Sequence, residues 1–287
     1  MMRLWLFIFF IPSLFWAQTT RIFVAAHQDD WQLFMNPNVA KSIKNTDDNT
    51  VIIHTTAGDA GHGVGNNAYY LAREEGSLRA LRFLVNKNNA PSGESPSMKE
   101  ETTTINGHKI VVYRYQNTSM YLLRLPDGNG DGSGFPLHQN KSLACFYAQQ
   151  CANLVAIDAS TTYSNITDLK QTIAAIIKEE KEKNDLEIHL PDTDITFNPG
   201  DHSDHQTSAK IVQEAARRVG QHTLYRYVNY ATAQRPPNLN EDDFMLSAAT
   251  WGVTASGLGD FKHYTTWDNI HNAWVGKQYF RKQVITP

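Results

Sequence analysis

The chain has 287 residues, of which 41% are apolar, 11% aromatic and 19% charged. That is enough apolar material for a sizeable core in one large domain, and the aromatic content excludes wholesale disorder. The charge is near balance, 26 Lys and Arg against 29 Asp and Glu, which excludes a nucleic-acid binder driven by a basic field, and two cysteines are too few for a disulfide scaffold.

Met1-Met2-Arg3 leads into an apolar run, Leu4 to Trp16, broken by Pro12 and Ser13 and followed by Ala17 and the polar Gln18-Thr19-Thr20. A basic start, a short apolar stretch and a small residue form the pattern of a secretory signal peptide, residues 1–17, cleaved near Ala17. The run is roughly thirteen residues, short of the ~20 that a spanning helix requires. No later segment is apolar enough to cross a bilayer. The expectation is a single secreted or periplasmic domain, residues 18–287, with no membrane span.

Arg21 to Ala26 is a short apolar run, and Val51 to Thr56 is a second, ending at Gly58-Asp59-Ala60-Gly61. Both read as strands buried on two faces. Leu71, Leu78, Leu81 and Val85 recur at helical spacing between Tyr69 and Lys87. Residues 88–108 are rich in Asn, Pro, Ser, Glu and Thr and read as an exposed loop. Ile110 to Tyr115 reads as a strand. Leu169, Ile173, Ile176 and Ile177 mark a helix that runs out in the charges Lys178 to Lys183. Glu187 to Leu190 reads as a strand; Ser208, Val212, Ala215, Ala216 and Val219 share one helical face closed by Gly220. Leu224 to Tyr230 reads as a further strand, and the last fifty or so residues give no clear pattern. Strands alternating with helices predict an α/β fold with a mostly parallel sheet.

Cys145 and Cys151 would meet an oxidising compartment. Six residues apart on a regular helix they face different ways, so a bridge requires a break in that segment. A disulfide and two buried thiols both stay open.

In a parallel α/β sheet, ligands bind beyond the carboxyl ends of the strands. After the first strand comes His27-Gln28-Asp29-Asp30; after the strand near 187–190 comes Asp201-His202-Ser203-Asp204-His205. Neutral imidazole and carboxylate suit zinc, and a catalytic zinc site keeps three protein ligands with a position left for water. Two His and one Asp would supply that set. A remaining carboxylate could take a proton from the water, and a remaining His could stabilise or protonate the reacting oxygen. Either cluster alone is a common capped turn. The two together, each after a strand, point to a metal-dependent hydrolase.

Val24-Ala-Ala-His-Gln-Asp-Asp30, with Leu33-Phe-Met-Asn-Pro37 behind it, resembles the opening of the LmbE-like, or PIG-L, family of zinc-dependent de-N-acetylases. That family begins with a strand and an AHPDD motif and closes its site with HPDH, present here as His202-Ser-Asp-His205. Thr55-Thr-Ala-Gly-Asp-Ala-Gly61 and Tyr70-Leu-Ala-Arg-Glu-Glu75 match its glycine-bearing loop and its R-E-containing helix. The resemblance covers residues 21–235 or so. It implies a Rossmann-like three-layer sandwich and one zinc ion per chain held by His27, Asp30 and His205. Asp29 would be the general base, His202 a donor to the oxyanion or the leaving amine, and Asp204 the residue that orients His202 or tunes its basicity. Arg73 matches an arginine that contacts substrate. The implied reaction removes the acetyl group of an N-acetylated amino sugar, a GlcNAc-type glycan or glycoconjugate, leaving a free amine and acetate.

Three positions depart from the pattern. Gln28 and Ser203 replace the usual prolines, which leaves those turns less rigid. Trp31 stands where an acid is usual, and its ring is a candidate stacking platform for a sugar.

Asp127, Asn129, Asp131 and Gly132 match the start of a calcium loop, but its twelfth position is His138 rather than Glu, so a glycine-rich turn near the substrate mouth is the preferred reading and Ca2+ the weaker one. His54 and His62 read as structural or exposed. Tyr69, Tyr70, Trp251 and Trp267 could stack on sugar, with core packing as the default. Two competing functions are another metal-dependent amide or ester hydrolase on the same scaffold, and a carbohydrate-binding protein with a degenerate site. The intact His and Asp sets disfavour the latter, and the lack of G-x-S-x-G disfavours a serine hydrolase.

Overall fold

The computed structural model describes residues 18–65, 68–89 and 98–286. The leader expected at residues 1–17 lies outside them. In chain order the elements are β1 (Thr19–Ala25), a π-helical turn (Trp31–Met35), α1 (Asn38–Lys44), β2 (Asn49–Thr56), α2 (Tyr69–Asn89), β3 (Lys99–Ile105), β4 (His108–Tyr115), β5 (Thr118–Leu125), α3 (Leu143–Tyr147), β6 (Leu154–Val155), β7 (Thr162–Tyr163), α4 (Ile166–Lys181), β8 (Asp185–Pro191), α5 (Ser203–Ala216), β9 (His222–Tyr227), α6 (Glu241–Asp260), α7 (Asn269–Asn272) and β10 (Phe280–Ile285).

Eight strands form one sheet in the order β10-β9-β8-β1-β2-β5-β4-β3. The neighbours β9, β8, β1, β2 and β5 run parallel, while β10, β4 and β3 join antiparallel at the two edges. Ile22 of β1 lies opposite both Val51 and Ile188. Alternation along the central strands splits the core into two. Ile22, Val24, Val51 and Ile53 pack with Ile173, Ile176 and Val212 of α4 and α5. Phe23, Ala25 and Ile52 pack with Ile43, Leu81 and Trp251 of α1, α2 and α6. Burial on both faces removes the polar positions of a half-exposed strand, so these segments read as apolar runs. The result is a three-layer α/β sandwich with a mostly parallel sheet.

Helices α2 and α6 touch at backbone level. A Cβ on Gly257 would lie 2.5 Å from the backbone of Gly76, and one on Gly76 would lie 2.6 Å from the Thr254 carbonyl. This crossing seats the C-terminal part of the chain on the layer that carries α2.

The structure corrects three readings. Residues 88–108 hold a strand, β3, whose Lys-Glu-Glu-Thr-Thr-Thr run is almost wholly exposed at the sheet edge. A charged edge strand needs no apolar alternation, so periodicity misses it. Helix α5 ends at Ala216, and Gly220 lies beyond it at φ +116° rather than closing it. β9 stops at Tyr227, and Tyr230 begins a separate 3-10 turn.

The chain breaks where a bridge between the cysteines requires it. Helix α3 is five residues long and Gln149 turns left-handed at φ +58°. Cys145 and Cys151 are joined as a disulfide, their Cα atoms 5.4 Å apart.

Candidate active site

Four neighbouring parallel strands, β8, β1, β2 and β5, release their following loops at one edge of the sheet. After β1 comes His27 to Asp30, after β2 the Gly58 loop, after β5 the Asp127 loop, and after β8 the segment that enters α5 at His202. Two of these turns demand glycine. Gly58 sits at φ +54°, and a Cβ there would lie 2.6 Å from Gln28 Oε1 and 2.7 Å from the Arg73 guanidinium. A Cβ on Gly128 would collide with the Asp204 carboxylate. In β5 the register slips by one residue against β2, and the extra residue, Arg124, turns left-handed at φ +51°. Such a bulge re-aims the strand end, and here it leads through Pro126 into Asp127.

His27 Nδ1, Asp30 Oδ1 and His205 Nε2 converge. The separations are 3.0 Å from His205 to Asp30, 3.2 Å between the two imidazoles, and 3.7 Å from His27 to Asp30. Each group is locked from behind. The His27 backbone N–H donates to Asp30 Oδ2 at 2.7 Å. His27 Nε2 faces Asp204 Oδ2 at 3.3 Å, and His205 Nδ1 faces Asp201 Oδ1 at 2.7 Å. With those outer nitrogens donating and the inner ones deprotonated, as a bound metal requires, two imidazole lone pairs and one carboxylate oxygen would point at a common centre. Ligands ~2.0–2.1 Å from a tetrahedral ion sit about 3.3 Å apart, so the three edges fit a divalent metal. Burial works against charge on His27 and His205, yet Asp30 and the carboxylates behind them hold both imidazoles well above their ordinary value. Asp30, despite the same burial, is held well below the usual carboxylate range by His205 and His27.

A second set, His27, Asp127, His202 and Asp204, also lies within mutual reach. Its donors are engaged already: His202 Nδ1 accepts the Asp204 N–H at 3.1 Å, and Asp204 Oδ2 accepts the Gly128 N–H at 2.8 Å. The first set fits an ion better.

Asp29 and Arg73 form an ion pair. Arg73 also donates to the Gly58 carbonyl at 2.8 Å. Both amino groups of Arg73 are therefore engaged by the protein, and its clearest role is to hold Asp29. His202 is the N-cap of α5. Since its Nδ1 accepts a backbone N–H, its proton sits on Nε2. Burial, with the charges of His27 and His205, pushes this imidazole down to about 2.

Two expected roles change. Asp204 is fully buried and lies 3.9 Å from His202 Nδ1 but 3.3 Å from His27 Nε2. Its carboxylate steadies His27, and it reaches His202 only through its backbone N–H. Trp31 is no platform for sugar. It is fully buried in the core between the sheet and α2, and its indole N–H donates to Ser77 Oγ at 2.8 Å. Ser77 Oγ meets His54 Nε2 at 3.2 Å, and His54 Nδ1 meets the His27 carbonyl at 3.1 Å. A neutral chain of Trp31, Ser77 and His54 thus underlies the site where an acid was expected; burial pushes His54 down to about 4.

A cavity of about 310 Å³ opens onto these groups, with His27, Asp29, Asp30, Arg73, Asp127 and His202 on one part and Leu33, Phe34, Tyr69, Tyr230, Tyr264, Thr266, His271 and Trp274 on the rest. Asp127 belongs to the segment read as a glycine-rich turn near the substrate mouth, with calcium as the weaker reading. The structure spends those side chains on their own turn: Asp127 Oδ1 accepts Asn129 N–H, Asn129 Oδ1 accepts Gly130 N–H, Asp131 Oδ1 accepts Ser133 N–H. His138, at the twelfth position, contacts Asp59 at 2.7 Å. The segment is a glycine-rich turn at the cavity, and these bonds leave the weaker calcium reading without support. Of the four aromatic candidates, Tyr69 lines the cavity, Tyr70 and Trp251 are buried, and Trp267 is exposed. His62 is exposed, its ring edge-on to Tyr69. Tyr264, His271 and Trp274 come from the C-terminal stretch that showed no periodicity, and Tyr230 from the end of a segment read as strand.

A family model described as PIG-L, GlcNAc-PI de-N-acetylase, matches residues 22–216. Among solved structures, the N,N'-diacetylchitobiose deacetylase from Pyrococcus horikoshii, complexed with its inhibitor MPG, aligns with 94% of this chain and 84% of its own, at 12% identity and a TM-score of 0.48. No curated protein matches.

Proposed function

The chain belongs to the PIG-L family, and from that premise we propose that it is an exported, zinc-dependent hydrolase that removes the acetyl group from an N-acetylated amino sugar. The observation that carries the reading is the convergence of His27, Asp30 and His205 on one centre beside the carboxylate of Asp29 and the imidazole of His202. The Cys145–Cys151 disulfide supports export, because such bonds persist in oxidising compartments.

His27, Asp30 and His205 would hold the metal. Zinc, when bound, supplies Lewis acidity toward the acetyl carbonyl and toward water. Asp29, fixed by Arg73, takes the proton of the attacking water. His202 presents its Nε2–H to the oxygen that gains charge or to the departing nitrogen. The amide C–N bond breaks, acetate leaves, and the sugar keeps a free amine. Asp201 and Asp204 hold the two ligand imidazoles in the tautomer that directs a lone pair inward.

Acetate release from a panel of N-acetylhexosamine glycans, before and after chelation and again after zinc is restored, tests the proposal. Release that stops and returns is the expected result. Release indifferent to chelator, or no release from any glycan, would overturn it.

A further inference from the structure

The family match ends at residue 216, yet the cavity is completed by Tyr230, Tyr264, Thr266, His271 and Trp274. Part of that wall is packed in place. Tyr230 and Trp274 stack with centroids 4.9 Å apart and 11° between planes, and the Trp274 indole N–H donates to the Tyr230 carbonyl at 3.1 Å. Tyr230 lies edge-on to the metal-site imidazole of His205 at 5.2 Å. Tyr264 differs. It lines the same cavity but is 69% exposed. Its neighbour His263 meets the ring of Tyr69 at 5.3 Å, so an aromatic rim runs from α2 to the loop before α7.

The charges of the cavity narrow what that rim receives. Arg73 is the sole Arg or Lys among the described residues of its lining, and its amino groups are engaged by Asp29 and Gly58. Asp29, Asp30 and Asp127 face the same space. With Asp30 on the metal and Asp29 paired with Arg73, Asp127 is the acid left facing the space, and no unengaged Arg or Lys lines it to meet a phosphate or carboxylate on the substrate. An uncharged sugar ring has an apolar C–H face suited to an aromatic ring.

We propose that Tyr264 is the platform for a second, uncharged sugar ring linked to the acetylated one, so that the substrate is a neutral oligosaccharide rather than a single sugar or a phosphate-bearing conjugate. This rests on the deacetylase reading of the site.

The test is calorimetric binding to the metal-loaded protein of the deacetylated products, which cannot turn over: glucosamine, its disaccharide and glucosamine 1-phosphate. The disaccharide should bind about fivefold tighter than glucosamine, as one aromatic contact supplies. Tyr264→Ala should erase that preference with glucosamine binding unchanged, and Tyr264→Phe should keep it. Equal affinities in the wild type, a Tyr264→Ala loss shared by both sugars, or tighter binding of the phosphate would overturn the proposal. Acetate release from the N-acetylated parents separates the two claims. A disaccharide preference without acetate release leaves the rim standing and sinks the deacetylase reading; release without a preference does the reverse.

Discussion

Arg73 of α2 reaches across to Asp29, the carboxylate beside the two converging imidazoles, and the pair lines the cavity as one unit. The arginine expected to bind substrate is thus placed to hold Asp29, the base of the proposed reaction. Arg73→Met should lower kcat about 10- to 100-fold, the range for loss of a supporting partner, with KM nearly unchanged. Arg73→Lys should recover part of the loss. A variant with kcat intact and KM raised would return Arg73 to substrate binding.

Asp29 and His205 are predicted to separate chemistry from metal. Asp29 stands outside the converging set, and His205 is one of its three members. Asp29→Asn should reduce acetate release ~10²–10⁴-fold, as loss of a general base does, with about one zinc per chain still bound. His205→Ala should lose the metal. Zinc content by elemental analysis beside acetate release decides it; an Asp29→Asn protein devoid of zinc would place Asp29 among the ligands.

Asp201 was given no role from sequence, yet its Oδ1 lies 2.7 Å from His205 Nδ1 and its side chain is nearly fully buried. A carboxylate behind a ligand imidazole fixes ring and tautomer, and its loss weakens metal binding ~10–100-fold. Asp201→Asn should therefore raise the zinc dissociation constant by about that factor, and saturating zinc should restore most activity. Unchanged zinc affinity would show that the Asp201 carboxylate is not what holds the ring.

The fold and the polar half of the site were legible for the same reason. Strands buried on both faces leave short apolar runs, and each run ends where a loop must carry polar chemistry, so His27 to Asp30 and His202 to His205 stand out. Asp127 did not, because what brings it inward is long-range: its neighbour Gly128 donates to Asp204, 76 residues away. Trp31 misled because its local motif says nothing of Ser77, the partner that holds it inside. The aromatic wall was unreadable because Tyr264 and Trp274 sit in irregular segments with no period to detect, and Tyr230 follows β9 so directly that it read as part of the strand. β3 was hidden by being an edge strand, where charge replaces alternation.

His189 offers a prediction about stability rather than catalysis. It is buried on β8, stacked between Phe23 and Tyr225, with Nδ1 2.7 Å from the Tyr227 hydroxyl and no hydrogen-bond partner at Nε2. Burial, reinforced by the charges of Arg21 and Lys282, holds it well below its ordinary value; Glu187, 4.0 Å from Nε2, is the acid facing it. Above pH ~6.5 the imidazole is neutral in folded and unfolded chains alike and adds no pH dependence. Below that value the unfolded chain takes up a proton the folded one refuses, so stability falls as pH falls, by up to ~1.4 kcal/mol per unit, until the folded group itself protonates. The contribution is isolated as a difference. Denaturant unfolding at several pH values between ~6.5 and ~4.5 should show a shallower loss in His189→Phe than in the wild type, even if the variant is weaker at neutral pH for want of the Tyr227 contact. Parallel curves for the two proteins would mean that His189 protonates in place, with Glu187 close enough to accept the charge.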